Sequence, residues 1–314
     1  MKVLVTGIEG FVGRHLATIL RDRDHKVCGT VWRHEDLELT SIELSDVPLE
    51  QIDLRYGTSF RRVLSEWDPD CIVHLAAQSS GSLAFREPVT TYRVNVLGTL
   101  NLLEAVRKAN WGGRLLFVSS GEVYGNVNPP RLLLEDDPVA PVNHYATSKA
   151  MAEMTAEEYG RTYGVRVIRT RAFPHTGPGQ SERFALSSFA KQIVTAEARG
   201  DGVLKVGNLD ARRDYLDVRD VASAYTALLE NGRDGEVYNV SRGENYRIGD
   251  LLDRLVEMST GEIRIVQDRR RLRKIDIPQL AGDSSKLRRE TDWVPLIGIG
   301  DTLRDLLDHW RDRF

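Results

Sequence analysis

Tyr145 and Lys149 stand four residues apart in Tyr145-Ala-Thr-Ser-Lys149, a spacing that puts both side chains on one face of a helix. A lysine ammonium near a phenol favours the phenolate, so Tyr145 is expected to fall below the reference pKa of about 10 and to exchange a proton near neutrality. Upstream, Ser119-Ser120-Gly121-Glu122-Val123-Tyr124-Gly125 follows an apolar strand. A hydroxyl at that strand end, Ser120, can hydrogen-bond a substrate oxygen. At the N-terminus, Gly7-Ile8-Glu9-Gly10-Phe11-Val12-Gly13 closes a strand and opens a helix. Such glycines permit a tight turn, let backbone approach a pyrophosphate and allow close helix–strand packing. The helix start adds free N–H groups and the positive end of its dipole.

These residues need a scaffold, and the apolar pattern supplies one. Lys2–Val5, Lys26–Val31, Cys71–Leu75, Leu115–Val118 and Arg166–Thr170 read as short strands without polar alternation. Between them, Phe11–Leu20, Tyr92–Val106 and Tyr145–Tyr163 carry helical spacing. Apolar strands alternating with helices predict an α/β protein, a Rossmann-type doubly wound parallel sheet covered on both faces. Further on, Phe184–Ala198 reads as a helix, Asp217 as the N-cap of a helix through Leu229, and Glu236–Val240, Ile248–Met258 and Ile263–Val266 as strand, helix and strand. A final amphipathic helix covers Thr302–Arg313. The expected division is a dinucleotide-binding domain over 1–170, with 210–240 returning to it. A smaller α/β C-terminal substrate lobe would comprise 171–209 and 241–314.

With 41% hydrophobic residues, the chain is rich enough to bury a core without staples, and its two cysteines, Cys28 and Cys71, are too few for a disulfide framework or a zinc site. No metal site is expected. A net charge of −3 gives no general reason to bind nucleic acid or an anionic membrane, and no apolar run approaches the ~20 residues that span a bilayer. The expected compartment is cytoplasmic.

The spacing G-x-x-G-x-x-G, with Ser120, Tyr145 and Lys149 in this order, resembles the extended short-chain dehydrogenase/reductase (epimerase/dehydratase) family. At the end of the second strand that family keeps an acidic residue for the ribose hydroxyls of NAD. Here Gly29-Thr-Val-Trp-Arg33-His34 has no carboxylate until Glu35. Arg33 suits the 2′-phosphate of NADP or is a solvated loop arginine, so NADP is the expected cofactor, with NAD possible. The resemblance implies cofactor contacts from Gly7, Gly10, Phe11, Val12, Gly13, Asp53 and Leu54 beside the adenine, Ala76 and Gln78 in the loop after the fourth strand, Tyr145, Lys149 and Phe173. His74 reads well as a satisfied core histidine and receives no role.

Downstream, Arg171-Ala-Phe173-Pro174-His175-Thr-Gly177-Pro-Gly-Gln180, Arg213-Asp214-Tyr-Leu-Asp217-Val-Arg-Asp220, the region of Arg273 and Gly282-Asp283 resemble the nucleotide-sugar branch. Within it the chain is most similar to the GDP-4-keto-6-deoxy-D-mannose reductases and GDP-mannose 4,6-dehydratases. That similarity implies a GDP-hexose substrate whose diphosphate is held by Arg213, Arg273 and Lys191, and a homodimer built on the helices around Tyr92–Val106 and Tyr145–Tyr163. One departure stands out: the family places an asparagine where this chain has Pro174, which has no polar side chain and no backbone donor. A water or His175 takes that contact, or the substrate sits differently.

In a reductase, Tyr145 gives a proton to the sugar C4 oxygen, Ser120 bonds the same oxygen, and Lys149 holds the nicotinamide ribose. In a 4,6-dehydratase a carboxylate, here Glu122, removes the C5 proton; 4-epimerisation and a non-enzymatic nucleotide-binding regulatory module are the other readings. Dehydratases are expected to carry Asp or Ser before that glutamate. This chain has Gly121, which favours the reductase.

Overall fold

The computed structural model describes residues 1–32, 44–56, 60–272 and 275–314. In the first half run β1 (Lys2–Thr6), α1 (Phe11–Asp22), β2 (Lys26–Val31), β3 (Leu49–Gln51), α2 (Phe60–Trp67), β4 (Cys71–His74), α3 (Gly81–Arg86), α4 (Pro88–Tyr92), α5 (Gly98–Lys108), β5 (Arg114–Ser120), α6 (His144–Tyr163) and β6 (Arg166–Ala172). The second half runs β7 (His175–Thr176), α7 (Ala185–Arg199), β8 (Asp201–Val206), β9 (Arg212–Arg213), β10 (Leu216–Asp217), α8 (Val218–Asn231), β11 (Val237–Val240), β12 (Tyr246–Arg247), α9 (Ile248–Glu257), β13 (Glu262–Gln267), β14 (Gln279–Leu280), α10 (Ser285–Thr291) and α11 (Ile299–Arg311).

Seven strands form one parallel sheet in the order β11-β6-β5-β4-β1-β2-β3. Successive side chains of β1 serve opposite layers, which is why the strand is apolar throughout. Val3 and Val5 pack with Leu16 and Leu20 of α1 and Tyr225 and Leu228 of α8. Leu4 packs on the other face with Phe60 of α2, Leu102 and Val106 of α5, and Ala156 of α6. The strand order reverses between β1 and β4, so the carboxyl ends of β1, β4 and β5 border a topological switch point, where ligands of such sheets bind.

The long helix expected over Tyr92–Val106 is interrupted. A π turn spans Arg93–Leu97 between α4 and α5. The extra residue turns Asn95 inward, where it is 2% exposed and bonds the loop after β4. Burying an asparagine in an apolar stripe demands such partners, and the π turn provides them.

Beyond β6 the chain alternates between two bodies of core. β11 extends the large sheet beside β6, and α8 lies against α1. Helices α7, α9 and α11 enclose a separate core that includes Phe189, Ile193, Leu252, Leu255, Leu303 and Leu307. Asp217 caps α8, its carboxylate accepting from Arg219 N at 2.8 Å.

Candidate active site

Four of the expected residues come together where β5 ends and α6 begins. Ser120 Oγ accepts from Glu122 N at 3.2 Å and so caps the short 3₁₀ turn Gly121–Tyr124. Asn143 caps α6 by accepting from Ala146 N at 2.8 Å, and its amide nitrogen donates to Glu122 Oε2 at 2.9 Å. One residue thus starts the helix that carries Tyr145 and Lys149 and tethers the acidic residue opposite.

Tyr145 is half-buried, with the Ser120 hydroxyl near enough to favour its phenolate. Desolvation and the charge of Glu122 push its phenol above its ordinary pKa, against the smaller pull of Ser120. The expected lowering is therefore overturned in the protein alone, because burial and the opposed carboxylate push the phenol up. The phenol stays protonated through neutrality and so has a proton to give. Lys149 is 6% exposed, and desolvation pulls it down to about 8 while the charge of Glu153 acts upward. Its ammonium sits 5.0 Å over the Phe117 ring. His74 lies nearby as a neutral core residue, bonded to Thr6 Oγ1 at 2.8 Å and Thr99 Oγ1 at 3.1 Å; desolvation, then Lys149, lower it to about 3.

The glycine-rich turn has the geometry a dinucleotide needs. Gly7 adopts φ +67°, and a Cβ there would lie 2.8 Å from Ala76 Cα, so Ala76 closes on the turn. Helix α1 starts at Gly10 without a side-chain cap, which leaves its first N–H groups and dipole end for an anionic group. The other expected cofactor residues are variously engaged. Asp53 is gripped by Arg55, which donates to both carboxylate oxygens and lowers its pKa. Leu54 is buried, and its carbonyl accepts from Asn101 at 2.8 Å. Gln78 bonds Thr91 and Ser80 through its side chain and Asn95 through its backbone. The Phe173 ring is 1% exposed, since a Cβ on Gly121 would sit 3.1 Å from it and one on Gly282 2.4 Å. Arg33 lies outside the described residues.

On the substrate side, Arg213 is 8% exposed and already anchored, donating to Ile277 O at 2.7 Å and Asp276 Oδ1 at 2.8 Å. Lys191 pairs with Glu182 at 2.6 Å and lies 5.2 Å over the Trp310 ring. Each thus has its own carboxylate partner on a separate element; Arg273 falls outside the described residues. Beside Pro174, His175 Nδ1 bonds Phe173 O at 2.9 Å, and its ring stacks on Phe11 of the glycine-rich turn. Among the described residues, no group of His, Cys, Asp and Glu is placed to hold a metal ion.

Sequence reasoning missed Asn95 and Asn143. Asn143 had a signal, an N-cap residue just ahead of the Tyr145 helix. Asn95 had only its oddity within an apolar stripe.

The family model described as GDP-mannose 4,6 dehydratase matches residues 4–306. GDP-6-deoxy-D-mannose reductase of Pseudomonas aeruginosa is 38% identical over 314 residues, covering 99% of this chain and 98% of its own. GDP-6-deoxy-D-talose 4-dehydrogenase of Aggregatibacter actinomycetemcomitans is 34% identical over 290 residues, 91% of this chain and 90% of its own. Among solved structures, RMD from Pseudomonas aeruginosa complexed with NADPH superposes with a TM-score of 0.87 at 36% identity, covering 100% of both chains.

Proposed function

The chain belongs to the GDP-mannose 4,6-dehydratase family, and within it we propose an NADP(H)-dependent reductase acting on the C4 keto group of a GDP-4-keto-6-deoxyhexose. A GDP-rhamnose type product follows. The observation that carries the choice of reaction is Gly121. A Cβ there would lie 3.1 Å from the Phe173 ring, so the Asp or Ser expected of an eliminating site before Glu122 would require that buried ring to give by a few tenths of an ångström. The 38% identical relative that is a reductase and the structure solved with NADPH point the same way.

When bound over the turn Gly7–Gly13, the dinucleotide supplies a hydride. The protein's own residues do the rest. Tyr145, held protonated by desolvation and Glu122, gives its proton to the C4 oxygen as charge develops there. Ser120 turns its hydroxyl to the same oxygen while its Oγ stays oriented by Glu122 N. Lys149 in its ammonium form offsets the negative charge left on Tyr145 and holds the nicotinamide ribose. Arg213 binds the diphosphate, exchanging or sharing its present bond to Asp276. Arg33, Arg273 and Lys191 are assigned to the 2′-phosphate and the diphosphate on the same grounds of charge.

Glu122 supports a second reading, the 4,6-dehydratase, because it lies close enough to raise Tyr145. Net NADPH consumption, one per GDP-4-keto-6-deoxyhexose, is the expected result for the reductase. Product from GDP-mannose without added reductant would establish the dehydratase instead. Among the described residues no helix is long and apolar enough to cross a membrane; we assign the enzyme to the cytoplasm and to a homodimer. The exposed Phe85, Val89, Leu97, Met151 and Met154 on α3 to α6 and the π turn support that assembly.

A further inference from the structure

We propose that Glu153 is a positioning residue for this reaction, its buried carboxylate, clamped by Arg171, keeping the Lys149 ammonium charged beside Tyr145. The inference rests on the proton-donor reading of that pair. Glu153 is 3% exposed and stands one helical turn beyond Lys149 on the same face of α6. Arg171 on β6 meets only one of its oxygens: Nε donates to Oε1 at 2.9 Å and Nη2 lies 2.8 Å from the same atom. The other oxygen, Oε2, is buried without a hydrogen-bond partner. A carboxylate left half-satisfied in a dry interior is costly and calls for a further cationic neighbour.

Arg171 cannot easily swing to cover both oxygens. Its Nη1 donates to Glu135 O at 2.9 Å, and its guanidinium lies 4.8 Å over the ring of Tyr124, whose hydroxyl donates to Asn239. The charge of Glu153 therefore also acts on Lys149, the ionisable group four residues earlier. Lys149 otherwise faces the neutral His74 on β4 and the Phe117 ring on β5; Tyr145 stands one turn earlier on its own helix, with the charge of Glu122 acting on that phenol. Desolvation favours the neutral amine, and the carboxylate of Glu153 acts upward against it. Their balance near about 8 keeps the ammonium predominant at neutral pH.

The test reads Lys149 directly. In protein labelled with ¹³Cε-lysine, the resonance absent from K149R is titrated without substrate or cofactor, and kcat/KM is followed over the same pH range. E153Q alone strands a buried guanidinium, so E153Q/R171Q and the apolar exchange E153M/R171M remove the pair together, and E153D restores the charge. In either folded double variant the Lys149 midpoint is expected to fall by about one pH unit or more. The alkaline limb of kcat/KM should move to lower pH with it, and E153D should return both toward the wild-type position. An unmoved midpoint in a folded double variant overturns the proposal, as does a moved midpoint with an unmoved alkaline limb. Failure of the proposed reaction is seen separately, as wild-type protein that consumes no NADPH while the titration remains readable.

Discussion

At the scale of single residues, the account assigns different work to neighbouring groups. Tyr145→Phe removes the proton donor and is expected to lower kcat by roughly 10²- to 10⁴-fold while leaving NADPH affinity unchanged, as measured by fluorescence titration. Near-normal turnover would remove the phenol from the mechanism. Arg213→Lys keeps a charge and loses the planar fork, so the KM for the nucleotide sugar should rise about tenfold or more, with the KM for NADPH unaffected. Tyr145, Lys149 and Ser120 were legible because the chemistry fixes both their types and their spacing. The raised phenol pKa was not legible, since it depends on burial and on Glu122, which lies 23 positions away in sequence and adjacent in space. Asp276 was also hidden: nothing local marks it as the partner of Arg213.

Elements set how those residues meet. Asn143 ties the start of α6 to Glu122, two contacts from one side chain. Asn143→Ala should cost about 0.5–2 kcal/mol in urea unfolding, the value of an N-cap, and should also lower kcat more than it changes KM. A pure stability loss with intact kcat would show that the tether to Glu122 has no catalytic consequence. The strands were readable because residues covered on both faces must be apolar, and α8 because its Asp217 cap coincides with its apolar stripe. The π turn at Arg93–Leu97 was not, since a single-residue insertion leaves the apolar stripe almost unchanged. Short β3 and the charged helix α2 were missed for a related reason: three residues carry no period, and Arg61, Arg62 and Glu66 mask the buried Phe60, Val63 and Leu64.

For the whole molecule, doubly wound topology places the glycine-rich turn, Ala76 and Ser120 at neighbouring strand ends, although they are far apart in sequence. It also buries His74 at the centre of the sheet. Because its folded pKa of about 3 lies below the unfolded 6.5, the native state resists protonation there. Stability from this group is complete above pH 6.5 and is lost as pH falls toward 3, by roughly 2 kcal/mol at pH 5. Urea unfolding at pH 7.5 and 5 should show that loss, and His74→Gln should remove about that much of the pH dependence. An unchanged pH dependence would place the acid sensitivity elsewhere. The central claim is that a reduced nicotinamide and Tyr145 act together on one sugar carbon. The most direct measurement is turnover of a GDP-4-keto-6-deoxyhexose with NADPH deuterated at C4 of the nicotinamide, followed by NMR of the sugar. The account predicts one deuterium per product, at C4 of the hexose and on one face only; deuterium at C6, or none, would contradict it.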